Sequence, residues 1–454
     1  MKKMKMGIIC LLMVLPFSGF TQINTFDISK YKAPNYKTRA LETNFNLSGY
    51  NFLTNSESDY SVPRNKKGNS GNLNFQFDLY FNQSINNLKL QRNFSIYANS
   101  AFRFSDYNFT PDLNSDKTLN FSTNSIDITR ENRRYFKKNL FLETNVLLES
   151  YYNTRYEKTQ NPDGTSTEYH AEDYSLSADF PIKIGKGRIE EVGDARHAVY
   201  ILDELSKIDR TTATKSDAEI TEFANLITQL RNKRFLDTRL RKMAEIETLD
   251  SFLLSKNYIT NHDANYFTTL RDFWDYGFNS NRKSGARISG VLIPSIDYYN
   301  DFQNDNQRLG TLIKGGIEYN YEKPLNLLWQ HSLSVFGYVG MGDVDYSTPI
   351  TYNAYTLLSL GINQGIGFYP NTRTELFLGY QVRYQHFLYD LHTTKNVDAS
   401  SNLGIQYYIS PKLSFNVNYS FHFYLQNLYF DENGYSKDNN TNNSLNISLR
   451  YRFF

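Results

Sequence analysis

The stretch Asn442-Asn443-Ser444-Leu445-Asn446-Ile447-Ser448-Leu449-Arg450-Tyr451-Arg452-Phe453-Phe454 decides the fold. Leu445, Ile447, Leu449, Tyr451 and Phe453 fall on one side; Ser444, Asn446, Ser448, Arg450 and Arg452 fall on the other. Side chains of a strand alternate between its faces, so this segment is a β-strand with one apolar and one polar face.

Upstream the same period recurs. Rows run through Leu41 to Leu47, Leu73 to Phe81, Phe94 to Phe104, Leu140 to Leu148 and Leu176 to Ile184. After an interruption they resume through Ile288 to Ile296, Ile313 to Tyr321, Leu333 to Val339, Leu358 to Phe368, Leu376 to Tyr384, Leu403 to Ile409 and Leu413 to Leu425. A further row near Leu119 to Ile128 breaks phase. With the closing strand the count is about fourteen, each row near the ~10 residues that a tilted membrane strand needs.

Composition points the same way. Mean hydropathy is −0.56, and no second long apolar run follows the start of the chain, which excludes a helical inner-membrane protein. Aromatics nevertheless reach 16%, with 36 Tyr and 33 Phe against 2 Trp. An outward apolar band with aromatic girdles uses such residues. A formal net charge of +2 gives no footprint for nucleic acid.

These rows and the terminal aromatics resemble Gram-negative outer-membrane β-barrel proteins, whose closing strand ends in an aromatic residue recognised during insertion. Here the outward row runs through Phe453, not the terminal Phe454. The resemblance implies an all-β transmembrane barrel in the cell outer membrane, in contact with its lipid. It also implies recognition by the barrel-assembly machinery through the C-terminal strand.

Met1-Lys2-Lys3 with Lys5 and an apolar run from Gly7 to Phe20 read as a signal peptide over 1–22, cleaved near Gln22. Ile8 and Ile9, not small residues, precede Cys10, which argues against a lipoprotein. Cys10 is the only cysteine, so the mature chain is expected to carry no thiol. Residues 23–39, containing Pro34, read as a periplasmic lead-in. The first half of the barrel, six strands, spans 40–185, and the second half, eight strands, spans 283–454. Connections test this count. Asn55–Ser70, Ser105–Asp116, Thr154–Thr167 and Asn427–Thr441 are long and polar, hence external loops. Ile85–Leu88, Glu322–Leu327, Pro370–Thr372 and Ser410–Lys412 are short, hence periplasmic turns.

The interruption at 186–282 has helical spacing instead. Ala195 to Leu205, Ile220 to Leu230, Leu240 to Leu253 and Phe267 to Trp274 mark four helices, with Ser216 and Glu219 as a capping box. By strand parity this α-helical bundle replaces a periplasmic turn. Its basic run, Arg231, Lys233, Arg234, Arg239, Arg241 and Lys242, has two readings. It is a solvated face balanced by Glu219, Glu222, Asp237 and Glu245, or a docking surface for an acidic periplasmic protein or the cell-wall polymer.

Between the apolar rows lie Asp78, Arg103, Glu143, Glu149, Arg287, Lys314, Glu318, Glu375, Arg383, Arg450 and Arg452, which should line the lumen. Mixed charge there either lines a water-filled path or closes it by pairing. For catalysis the chain offers seven His and no H-E-x-x-H or similar close pair, so neither a metal nor another cofactor is expected. An outward His386 with Ser401 across the next hairpin is similar to the outer-membrane phospholipase. Leu388, however, occupies the serine position, and Asn402 points inward. Asp78 with Glu143 or Glu149 as a hydrolytic pair lacks a sugar-binding context. The expected function is therefore passage of a solute or exported polymer, with the insert docking a partner or gating. A closed anchoring barrel comes second, an outer-membrane hydrolase third.

Overall fold

The computed structural model describes residues 26–451 apart from 57–65, 111–115, 162, 212–214, 233–237, 278–281, 304–305, 347–353, 391, 411–412 and 431–434. The signal-peptide reading of 1–22 lies outside the described residues. Strands β1 (Tyr36–Ser56), β2 (Lys66–Asn86), β3 (Leu90–Thr110), β4 (Asp116–Tyr135), β5 (Leu140–Gln160), β6 (Ser166–Asp179) and β7 (Ile182–Glu191) come first. Helices α1 (Gly193–Lys207), α2 (Asp217–Asn232), α3 (Thr238–Ser255) and α4 (Ala264–Tyr276) follow. Then come β8 (Lys283–Asp301), β9 (Asn306–Pro324), β10 (Trp329–Tyr346), β11 (Ala354–Phe368), β12 (Thr374–Tyr389), β13 (His392–Tyr408), β14 (Leu413–Phe430) and β15 (Tyr435–Tyr451).

Neighbours in sequence pair antiparallel throughout, and β6 and β7 share one place between β5 and β8. Pro181 has no N–H to give the ladder, which divides that strand in two. Asn145 N–H still donates to Pro181 O at 2.9 Å, and Phe180 N–H to Pro294 O at 2.9 Å, so the halves stay in line. The fifteen segments therefore occupy fourteen positions. Among the described residues no ladder joins β1 to β15. The sheet still curls round into a barrel: α2 packs on β1, while the Tyr276 hydroxyl ending α4 donates to Ile409 O beyond β13 at 3.3 Å. The seam lies between the first and last strands.

Outward rows are apolar where the sequence reading placed them. Leu73, Phe77, Leu140, Ile184, Ile288, Ile313, Ile317, Leu378, Leu445, Ile447 and Leu449 are all exposed. A soluble protein buries such rows; here they form the lipid-facing surface. Among the described residues no helix is long and apolar enough to cross a membrane.

Two expectations need correction. Several strands are 21 residues long, and the long polar loops are mostly strand, since β1 reaches Ser56, β2 starts at Lys66 and β15 at Tyr435. The apolar part of each is still about ten residues, as in β5, whose outward side is Leu140 to Leu148 and then turns polar. Beyond it the backbone ladder continues as ribbons held by polar pairs, such as Lys158 with Glu168 at 2.8 Å. The phase break in β4 is not a bulge, because its register with β3 is continuous. Leu119 and Phe121 simply face inward, while Ile126 and Ile128 sit opposite the outward Ala98 and Ile96.

The helices form where expected, and the capping box is present. Ser216 N–H donates to Glu219 Oε2 at 2.8 Å, and Glu219 N–H to Ser216 Oγ at 3.4 Å. Their core joins Ala195, Ile201, Phe223, Ile227, Leu253 and Trp274 with residues from outside the insert. Phe26, Ile28 and Tyr31 of the lead-in and Leu327 of the β9–β10 turn belong to it. The segment read as a loose lead-in is thus part of the bundle core, and β1 already begins at Tyr36.

Candidate solute path and its cover

The inward face of the barrel is polar, and some of its charges are bonded to one another along one side of the wall. Glu143, 3% exposed, accepts from Arg133 Nε at 2.5 Å and from Asn145 Nδ2 at 2.8 Å. Lys183 lies 3.9 Å from Glu143 and donates to Glu318 at 2.7 Å, which also accepts from the Tyr338 hydroxyl at 2.7 Å. The belt runs along the wall from β4 to β10.

Of the residues read as lumen-lining, Glu143, Glu318 and Arg287 come together near this belt. Asp78 stands apart on β2, accepting from Asn44, Gln76, Tyr97 and Asn99. Arg103 donates to Asn74 at 2.8 Å. Glu149 is exposed opposite Asp127. Lys314 is half-buried, with its stem against Gly340. Half-buried Glu375 sits opposite Gln406. Arg383 is exposed, its guanidinium 5.9 Å from the Phe336 ring. The side chains of Arg450 and Arg452 lie outside the described residues. Sequence reasoning missed Arg133 and Lys183. Lys183 alone, between Ile182 and Ile184, carried an alternation signal.

A cavity of about 370 Å³ remains in the lumen, walled by inward residues of β8 to β13, including Arg287, Asn320, Asn363, Gly365, Gly379 and Asn402. Gly365 and Gly379 are direct partners across β11 and β12, so the wall is thin there. Ile189 of β7 lines the cavity from the insert end.

That end is covered. Beyond Lys186, β7 leaves β5 but stays paired with β8, which from Gly285 onward is itself laddered to β9, and then leads into α1. Its Gly187 and Gly285 have φ of +112° and +129°. A Cβ at either would lie 2.0 Å from a carbonyl oxygen of the facing strand. The bend interrupts alternation, so Arg188 does not follow Ile182 and Ile184 outward. It reaches the β2–β3 turn, donating to Asn86 Oδ1 at 3.0 Å, Asn87 O at 3.0 Å and Leu88 O at 3.3 Å. Gln91 Nε2 donates to Ile189 O at 3.0 Å from the same side.

Two buried arginines fasten the bundle over the opposite half. Arg196 donates to Leu327 O, Tyr369 O and Asn371 O. Arg282 donates to Gln330 Oε1, Leu327 O, Asn326 O and Trp329 O within 2.9 Å. Burial, and next the Arg196 charge, push the Arg282 pKa down, while these oxygen acceptors hold the cation. Arg373 of the β11–β12 turn adds a pair with Asp272 at 2.7 Å. In the basic run, Arg231 pairs with Asp194 at 2.6 Å and Lys242 with Asp275 at 2.8 Å. Lys233 and Arg234 lie outside the described residues, as do the side chains of Arg239 and Arg241.

The hydrolase geometry is not formed. Ser401 is opposite Tyr380, whereas His386 is opposite Lys395. Six residues of strand separate the two levels, about 20 Å.

No family model and no curated protein matches the chain. Among solved structures, the transport unit of the autotransporter AIDA-I from Escherichia coli is similar at 10% identity and a TM-score of 0.29, over 89% of this chain and 96% of that one. The β domain of the Bordetella autotransporter BrkA is similar at 8% identity and a TM-score of 0.24, over 92% and 100%. At those scores neither carries the argument, which rests on this chain's own surface: apolar rows outside a continuous run of antiparallel ladders, a polar inside and helices at one end. The chain folds as a transmembrane β-barrel with a helical insert.

Proposed function

We propose that the barrel passes a polar solute or exported polymer, and that its insert end, facing the periplasm, is the gate. The observation carrying this reading is the end of β7, released from β5 beyond Lys186 and latched by Arg188 to the β2–β3 turn. Behind it the lumen holds a polar cavity in place of apolar packing. A barrel serving only as an anchor has no use for either. The basic run from Arg231 to Lys242 serves in this reading as the place where an acidic periplasmic partner docks and pulls the bundle away. Since Arg231 and Lys242 are engaged within the bundle, that docking falls to Lys233, Arg234, Arg239 and Arg241.

The test is reconstitution of the full-length protein into planar bilayers. Discrete conductance steps are expected, brief because the latch is closed without a partner. Silence across the accessible voltages would return the barrel to the anchor reading.

A further inference from the structure

We propose that the cavity behind the end of β7 binds an acidic saccharide, which rests on the passage reading and names its cargo. At about 370 Å³ the cavity falls within the ~300–1,000 Å³ of small-molecule sites. Its lining is mainly hydrogen-bonding groups. Asn320, Asn363, Gln381 and Asn402 contribute amides, and three serines contribute hydroxyls. Each amide presents a donor and an acceptor side by side, matching the donor and acceptor character of neighbouring sugar hydroxyls.

The charges select further. Lys283 and Arg287 face the cavity against Glu322 alone, and Glu322 already accepts from Gln330 Nε2 at 3.1 Å. The Arg287 Nε and Asn363 Oδ1 atoms are buried without a hydrogen-bond partner. Buried polar groups are ordinarily satisfied, so a donor and an acceptor left over in one cavity mark where ligand atoms belong. A carboxylate opposite Arg287 would take the donor, and a sugar hydroxyl would donate to Asn363. Ile189 is the one apolar side chain reaching it from the inward side among the described residues, too little for the side-chain pockets of a peptide. Because Ile189 rides on the end of β7, the site would open and close with the gate.

Isothermal titration of the full-length protein in detergent, with trigalacturonic acid as probe, tests this. Saturable binding at one site is expected, with maltotriose and a tri-aspartate peptide weaker by at least about tenfold, the worth of one charge-assisted hydrogen bond. Arg287→Gln should lower affinity for trigalacturonic acid by a similar factor. Gly379→Leu should do so by filling the cavity; its added Cβ would meet nothing nearer than Gln364 O at 3.7 Å, and migration in unheated gels checks that the barrel still folds. If Arg287→Gln fails to fold, Gly379→Leu carries the test alone. Absent binding, binding unaffected by Gly379→Leu, or equal binding of either control overturns the proposal. Titration in detergent needs no passage. A protein that binds without conducting therefore refutes the passage reading, and one that conducts without binding refutes the saccharide site.

Discussion

Gly187 and Gly285 stand two register steps apart across the β7–β8 pair, both at positive φ, each with its α-hydrogen against the facing strand's carbonyl. Only glycine can occupy such positions without strain. They lie where the end of β7 parts from β5 while β8 keeps its ladder with β9. Gly285→Ala is expected to cost about 1–3 kcal/mol in backbone strain, before the contact with Arg188 O. The cost falls at the insert end of β8, where it meets both β7 and β9. Limited proteolysis of the end of β7 and the bundle should accelerate, while the folded barrel's migration in unheated gels stays unchanged.

The charged belt gives a second prediction. Arg133 and Glu143 are 8% and 3% exposed, so Arg133→Ala strands a buried carboxylate and should cost about 3–5 kcal/mol. Arg133→Met combined with Glu143→Leu removes both charges and should recover most of that loss. Urea unfolding in detergent micelles measures both. Equal destabilisation by the single and double changes would mean that the pair is not coupled.

How much of this could be read in advance depended on whether alternation alone decided a side chain's place. The row from Leu413 to Leu425 is unbroken, and it marks the start of its strand, which continues to Phe430 through residues read as a loop. In β4, Leu119 and Phe121 face inward, and hydropathy alone could not tell that from a shift of phase. Gly185-Lys186-Gly187 hid the latch, because a positive φ at Gly187 sends Arg188 to a side that alternation denies it. Phe26, Ile28 and Tyr31 are too few to show a period, and their burial is set by helices far along the chain. The lumen charges were placed by parity, but their partners depended on register between strands, which no single row contains.

Face assignment is tested on β14. Phe421 is 36% exposed, on the outward row. An arginine there should cost about 2–4 kcal/mol at the bilayer midplane, less towards an interface. Asn418, opposite the inward Gly404 and Asn446, should accept arginine with much less loss. Equal insertion of the two variants, measured by the folded fraction in outer membranes, would contradict the lipid-facing row.

The bundle carries a titratable cap. Asp263 accepts from Arg210, with Nη2 at 2.6 Å, and from the Tyr266 N–H at 3.0 Å, opening α4. The Arg210 hydrogen bond first, then that backbone N–H, hold its pKa down at about 2. A depressed carboxylate stabilises the fold fully above its unfolded value of about 3.9, and that contribution is lost as pH falls through about 2. Helical circular dichroism on heating should therefore show the bundle weakening between about pH 4 and pH 2. Asp263→Asn keeps a capping oxygen but cannot titrate, so that component of the pH dependence should vanish.

The gate is tested most directly at its latch. Arg188→Ala removes the donations to Asn86, Asn87 and Leu88 while leaving both glycines, the bundle and the barrel wall in place. In planar bilayers under identical voltage, the variant should show the same unit conductance as the unchanged protein, with a markedly higher open fraction. Identical open fractions for the two proteins, or a changed unit conductance, would contradict a β7 end that gates the path.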